Sequence, residues 1–254
     1  MTLHSRIFPV LLLRDLGLVK TRRFKDDRYV GDPLNAVKIF NEKEVDELTI
    51  YDLDASVEGR GPNFELLGKI AIESRMPLCY GGGINSADDA ARLVSIGYEK
   101  VSVSAAALDR PQLIREMAER VGSQSVVCTL DVLRESIFGG YAVYTRNAKR
   151  KHKIKLFDFL VEVEGLGAGE IVINSIDHDG MMDGYDLKLA RAVRDRVSLP
   201  LSFVGGAASV EDMAALIGTV GKVGAGAGSM FVFNGPYRAV LISYARPANA
   251  GTIT

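Results

Sequence analysis

The sequence predicts one closed barrel of eight parallel strands and eight helices, and three observations lead there. The chain has 254 residues, close to the roughly 250 typical of a (β/α)8 barrel. Short β-branched and apolar runs alternate with longer stretches whose apolar residues recur every three or four positions, the pattern of repeated strand–helix units that feed a parallel sheet. Two segments half a chain apart also match residue against residue. They are PLCYGGGINSADDAARLVSIG from Pro77 and PLSFVGGAASVEDMAALIGTV from Pro200, which pair Gly82 with Gly205, Gly83 with Gly206, Ser86 with Ser209 and Asp89 with Asp212. A weaker echo relates DLDASVEG from Asp52 to SIDHDGMMDG from Ser175. A barrel of two similar halves places like sites at like positions, so a ligand with two similar ends is expected.

Taken in order, the strands are expected to begin near Arg6, Leu48, Pro77, Lys100, Ser125, Glu170, Pro200 and Lys222. The helices between them include GDPLNAVKIFNEKE, SADDAARLVSIG, RPQLIREMAERVG and SVEDMAALIGTV. After the fifth strand, RESIFGGYAVYTRNAKRKHKIK breaks the alternation, with a Gly139-Gly140 turn between runs that read as a small hairpin. Its basic tail, Lys149 to Lys155, reads as a solvated charge run. Residues 1–254 are expected to form one domain, with 247–254 (ANAGTIT preceded by Pro247) as a flexible tail.

Composition narrows the function. Hydrophobic residues make up 47% and charged residues 25%, and the formal net charge of -1 offers no global field to hold nucleic acid. The apolar stretch near the N-terminus is interrupted by Arg14 and Asp15, too short for a membrane span and without a small-residue cleavage site, so a cytoplasmic protein is expected. Cys79 and Cys128 each lie inside an apolar run and read as small buried hydrophobes. Three scattered histidines, His4, His152 and His178, lack ligand spacing; neither a metal nor a cofactor is expected.

The chemistry-bearing positions fall into three groups. Tyr80-Gly81-Gly82-Gly83-Ile84 and Val204-Gly205-Gly206-Ala207 each sit where a strand ends and a helix is about to begin. Glycines there let backbone N–H groups approach an oxyanion, and the helix start adds positive potential, so each pair reads as a phosphate cradle. The next strand in each half ends in small residues, Ser104-Ala105-Ala106 and Gly226-Ala227-Gly228-Ser229, which would complete the cup. Asp52, Asp54, Asp131, Asp177 and Asp179 follow strands and are acid/base candidates, although capping and ion pairing with Arg134 or Lys20 are equally natural uses. Asp131, after VVCTL, is the strongest of them. At the opposite strand ends lie Arg6, Glu47, Lys100 and Glu170; two positive and two negative groups could close the barrel floor, but each alone reads as a charge at a loop–strand junction.

Together LVKTRRF, VDELTIYDLDAS, YGGGI, EKVSVSAAA, GSQSVV, NSIDHDGMMDGYD and VGGA resemble, over nearly the whole chain, the cyclase subunit (HisF) of imidazole glycerol phosphate synthase. The resemblance implies a TIM barrel of the ribulose-phosphate-binding type. It also implies a glutaminase (HisH-like) partner docked on the barrel bottom, ammonia passing up the barrel, and a diphosphorylated ribulosyl-formimino ligand cleaved and cyclised at the top. On that basis Arg6, Glu47, Lys100 and Glu170 match a salt-bridged ammonia gate, and Glu99 falls on the glutaminase-facing surface. Lys20, Asp52, Asp179 and the adjoining Gly180 match substrate-binding positions. Gly82, Gly83, Ser104, Gly205, Gly206, Gly228 and Ser229 match phosphate cups, and Asp131 matches one of two essential aspartates.

The other aspartate is missing. With Lys20 and Asp15 in register with the family's first-strand pattern, Leu12 stands where the first catalytic carboxylate should be, and a leucine cannot shuttle a proton. Ser104-Ala105 replaces Asn-Thr, and His178 replaces an arginine. The tunnel side is kept while the chemical side is eroded. This resembles the branch found with surface-polysaccharide genes, in which such a barrel and its glutaminase deliver ammonia to a separate sugar amidotransferase. The alternatives are a working lyase of histidine biosynthesis and the sister half-barrel phosphoribosyl-formimino isomerase.

Overall fold

The computed structural model describes residues 5–135 and 140–250. Eight strands line the cylinder: β1 (Arg6–Arg14), β2 (Leu48–Asp52), β3 (Leu78–Gly81), β4 (Lys100–Val103), β5 (Val126–Arg134), β6 (Glu170–Ser175), β7 (Leu201–Val204) and β8 (Gly224–Ala227). Each pairs in parallel with the next, and β8 returns to β1 with Arg6 opposite Gly224, so the eight strands close on themselves. All eight strands start within two residues of the positions expected from the sequence.

The outer layer consists of α1 (Pro33–Glu42), α2 (Phe64–Glu73), α3 (Ala87–Ser95), α4 (Gln112–Val121), α5 (Leu156–Gly165), α6 (Leu187–Arg194) and α7 (Val210–Val220), with the short Ser229–Val232 turn of helix after β8. Five of these starts are fixed by side chains that accept otherwise orphaned backbone N–H groups: Asp32 before Pro33, Asn63, Ser86 and Asp186, with a reciprocal Ser209–Asp212 capping box on α7. Each cap contributes about 1 kcal/mol. Ser86 and Ser209 occupy equivalent places, so the half-length repeat extends to the capping chemistry.

Strand alternation divides the apolar residues between two cores. On β1, Ile7, Leu11 and Leu13 face outward into the main core between sheet and helices, whereas Phe8, Val10 and Leu12 face into the cylinder. Helix α4 shows the outer packing: Leu113, Ile114 and Met117 are fully buried, each contributing about 1.5–3 kcal/mol of transfer free energy. Cys128 belongs to this outer core and Cys79 to the inner one.

Two additions shape the top of the barrel. The end of β1 turns back into an antiparallel ribbon, Gly17–Arg22 and Lys25–Gly31, with Leu12 opposite Val19. Sequence periodicity gives no sign of it, because KDDRY is exposed throughout and buries no face. The end of β5 pairs with Tyr141–Thr145, which continues to Arg150–Lys151; Gly139 of the expected turn, like His4, lies outside the described residues. At the C-terminal end, Ala248–Ala250 form a 3-10 turn that buries Ala250, and Asn249 donates to the Ala214 carbonyl at 3.2 Å; residues 251–254 are outside the described set. Among the described residues no helix is long and apolar enough to cross a membrane.

Candidate functional site

The floor of the cylinder is an ion-pair ring built from distant parts of the chain. Lys100 Nζ lies 2.6 Å from Glu47 Oε2 and 2.9 Å from Glu170 Oε2. Arg6 Nη2 lies 2.5 Å from Glu170 Oε1, with its Nε 3.8 Å from Glu47. Ser202 on β7 also donates to Glu170. Burial would lower the Lys100 ammonium, but Glu170 and Glu47 overcome it and hold the pKa above its ordinary value. Burial likewise opposes ionisation of Glu170, and Arg6 and Lys100 reverse that, leaving it below the usual carboxylate range. The ring thus sets two basic side chains against two acidic ones. Glu99 is exposed on the same end, next to buried Lys100.

Above the ring the cylinder is apolar. Phe8, Val10, Cys79, Val127, Val172 and Val204 pack together, none more than 8% exposed, with Leu12 and Tyr51 resting on them from above. The Tyr51 hydroxyl pairs with Thr129 Oγ1 at 3.0 Å, and Thr129 pairs with Ser102 Oγ at 2.7 Å. Burial holds the Tyr51 phenol well above its ordinary pKa, so it stays protonated.

At the top, strand register exposes a difference between the two halves. Leu12 on β1 stands opposite Tyr51 on β2, and in the equivalent places Asp131 on β5 stands opposite Asn174 on β6. Asn174 Nδ2 donates to Asp131 Oδ1 at 3.0 Å. Burial pushes the Asp131 carboxyl up to about 7, against the Asn174 hydrogen bond and with help from the negative charge of Asp179. A carboxyl in that range exchanges protons near neutrality, as a general acid/base must. Its partner position in the other half, Leu12, has no proton to offer.

The remaining sequence candidates are gathered around the same opening. Lys20, buried on the ribbon, donates to the Val10 carbonyl, and burial pushes its ammonium down to about 8 against the pull of Asp179. Asp179 pins the ribbon itself: its carboxylate accepts from Thr21 Oγ1 at 2.6 Å and from the Phe24 amide at 3.1 Å. Asp52 lines the cavity, yet both of its oxygens are taken by Arg60, at 2.8 and 3.0 Å, and one also accepts from the amides of Asp54 and Ala55. Asp54 pairs with Arg14, and Asp177 accepts from the Arg134 amide. His178 pairs with Asp183. These last three aspartate and histidine positions are used in holding loops.

Both glycine cups open on one cavity of about 1340 Å³, counting the part open to solvent; Leu12, Lys20, Asp131, Asn174, Asp179 and Gly180 also line it. A side chain at Gly83 would place Cβ 2.4 Å from the Arg60 carbonyl oxygen, and at Gly206 1.9 Å from the Gly184 carbonyl oxygen, both at positive φ. The glycines are thus demanded by packing as well as by any approach of an anion. Ser104 and Gly228 cap equivalent short helices, Ala105–Asp109 and Ser229–Val232. The Ser104 hydroxyl is buried without a hydrogen-bond partner, whereas Ser229 is simply buried.

Several lining or supporting residues are not among the sequence candidates, Tyr51, Thr21, Arg60, Arg146 and Asn174 among them. Continuing the two-residue alternation upward from Glu47 and Glu170 reaches Tyr51 and Asn174, so a signal for those two existed. Arg60 and Arg146 lie in connections without a motif, and Thr21 lies on the ribbon strand within LVKTRRF; the loop carrying Arg146 is tied down by Asn147, which donates to the Leu53 carbonyl at 3.1 Å.

Comparison with known proteins agrees with this geometry. A family profile described as histidine biosynthesis protein matches residues 6–237. A Vibrio vulnificus protein that carries the provisional name imidazole glycerol phosphate synthase subunit hisF3 is 51% identical over 97% of this chain and 95% of its own length. A Pseudomonas aeruginosa protein provisionally named as subunit hisF2 of the same synthase is 47% identical over 95% of this chain and 96% of its own length. Imidazole glycerol phosphate synthase subunit HisF of Nocardioides is 38% identical over 83% of this chain and 84% of its own length. A ring-floored, eight-stranded barrel with paired glycine cups, matched over almost its entire length at these identities, belongs to the histidine biosynthesis protein family and within it to the HisF-type subunits.

Proposed function

We propose that this chain is the ammonia-receiving barrel of a two-protein glutamine amidotransferase, in which lyase chemistry is impaired and the ammonia serves amidation of a surface-polysaccharide sugar by a separate enzyme. One observation carries the reading: each member of the floor ring faces an opposite charge, while of the two equivalent acid/base positions at the top Asp131 has a carboxyl and the other is Leu12. A glutaminase would dock on the floor, near Glu99. The ring offers it a neutral closure held by charged hydrogen bonds, and the apolar interior beyond favours neutral ammonia over ammonium, because a bare ion loses its hydration there.

The second reading is a working lyase of histidine biosynthesis that makes imidazole glycerol phosphate; relatives bear the name imidazole glycerol phosphate synthase subunit HisF. It is favoured by Asp131 at about 7, by buried Lys20 and by both glycine cups on one cavity, which suit a ligand carrying two phosphates. In it, Asp131 would move the proton and Lys20 would meet the ligand's negative charge.

Purified chain, supplied with ammonium salt and the ribulosyl substrate, separates the two. The conduit reading expects turnover near background, raised at least about tenfold by Leu12→Asp, since a placed general acid/base is worth about 10²–10⁴ in rate. Robust turnover by the unaltered chain refutes it. With the glutaminase present, Glu47→Gln or Lys100→Met should uncouple glutamine hydrolysis from product amidation, and unchanged coupling in both variants removes the conduit.

A further inference from the structure

Among the described residues, packed side chains fill the cylinder between the floor ring and the upper cavity. Phe8 leans over the strand-eight glycines: a Cβ at Gly226 would lie 2.7 Å from its ring. Tyr51 fills the other side of the bore. Starting on β2, its ring lies against Gly81 of β3, where a Cβ would sit 2.8 Å away. Its hydroxyl then reaches Thr129 on β5 at 3.0 Å, beside Ser102 on β4. The side chain thus crosses the cylinder from one wall to another three strands away. Two residues below Gly81 on the same strand is Cys79, 2% exposed and at the level of Lys100, its register partner. Cys79 is therefore enclosed between the ring below and Tyr51 above.

Of the residues that seal the bore, Phe8, Val10, Val127, Val172 and Val204 are buried and apolar, and the floor ring is locked by four charge contacts. Tyr51 differs from all of them. It borders the upper cavity, as Val10 and Val204 also do, but unlike them it carries a hydroxyl, and its position across the bore is held by one hydrogen bond between neutral hydroxyls. Glycine at position 81 leaves the room its ring occupies.

We propose that Tyr51 is the inner valve of this barrel, latched across the bore by Thr129 and Ser102 and opening toward the upper cavity to let a small neutral molecule through, so that the passage has two closures in series. Its purpose rests on the ammonia reading above; its geometry does not. Tyr51 is a gating residue, acting on passage and not on bond making. The hydroxyl trio can also accept and donate to ammonia in transit, which lowers the barrier that a wholly apolar constriction would impose.

Cys79 reports on the valve directly. The full chain is treated with methyl methanethiosulfonate, and modification of each cysteine is followed by peptide mass spectrometry. Cys128, in the outer core, serves as the internal measure of unfolding. Tyr51→Ala is expected to raise the Cys79 rate at least about tenfold with Cys128 unchanged. Thr129→Val, which removes the latch and keeps the shape, is expected to raise it about three- to tenfold, the worth of one hydrogen bond in the closed state. Should Tyr51→Ala also expose Cys128, Thr129→Val decides. Unchanged Cys79 labelling in Thr129→Val, or in a Tyr51→Ala variant that keeps Cys128 protected, overturns the proposal. Faster labelling in the variants, together with intact glutamine coupling in the floor-ring variants, would keep the valve and reject the ammonia reading.

Discussion

Replacing Asp131 by Asn tests the electrostatic account of the upper cavity, because it preserves shape and the acceptor for Asn174 while removing the titration. The carboxyl moves from an ordinary value of 3.8 to about 7 on folding, and a shift of one pH unit corresponds to about 1.36 kcal/mol. About three such units would set a ceiling of about 4 kcal/mol. Asp131 borders a cavity open to solvent, and effective dielectric screening there reduces the figure to about 2 kcal/mol. Since the folded value lies above the unfolded one, the folded chain holds the proton longer. The contribution is complete below about pH 4 and is lost as pH rises through about 7. Urea denaturation of both proteins at pH 5 and pH 8 measures it. Other titrating groups, such as the buried His152, cancel in the difference between the proteins. Because the loss begins near pH 4, the interval from pH 5 to pH 8 spans only about two of those three units, so relative to wild type Asp131→Asn should gain about 1.3 kcal/mol over it. A difference under about 0.5 kcal/mol would mean that the carboxyl titrates as it does in water, and the proton-exchange role assigned to it would fail.

Lys100→Met leaves Glu47 and Glu170 buried with Arg6 as their remaining cation, and should cost about 3–5 kcal/mol in urea denaturation; loss below about 1 kcal/mol would show that water already reaches the ring. Gly206→Ala forces a Cβ to within 1.9 Å of the Gly184 carbonyl oxygen at a positive φ, and should lower stability by about 3 kcal/mol or more, whereas Gly218→Ala on α7, with nothing within 4 Å, should raise it by about 0.4–1 kcal/mol. Equal thermal midpoints for the two variants would show that the cup backbone is not held as described.

The barrel was legible because it is periodic. Eight apolar runs, most of them followed by an amphipathic stretch, leave few topologies, and the Pro77/Pro200 repeat specifies that the second half copies the first. The floor ring was legible only as four charges at strand starts; their meeting depends on register, which links Arg6 to Glu170 across 164 residues and leaves no local trace. The ribbon at Gly17–Arg22 and Lys25–Gly31 was not legible, since its outer strand is exposed and charged and its fixing contact, Thr21 to Asp179, joins it to a loop 158 residues further on. Asp52 shows the opposite failure. Its place after a strand suggested ligand contact, and the structure gives its carboxylate to Arg60, a residue in a connection that no motif marks.

The twofold repeat also explains how one end of such a protein can change while the other is kept. Glu47 and Glu170 occupy equivalent positions in the halves and face the same cation, Lys100, so losing either carboxylate strands a buried charge and is resisted by several kcal/mol. Leu12 and Asp131 are equivalent too, but each has its own neighbour, Tyr51 in one half and Asn174 in the other. No salt bridge spans that pair. A carboxylate at position 12 can be exchanged for leucine if its register partner changes with it, and a tyrosine that finds its own hydroxyl partners in Thr129 and Ser102 is such a change. The physical coupling is strong across the floor and local at the top, so chemistry at the top can be lost without loosening the floor.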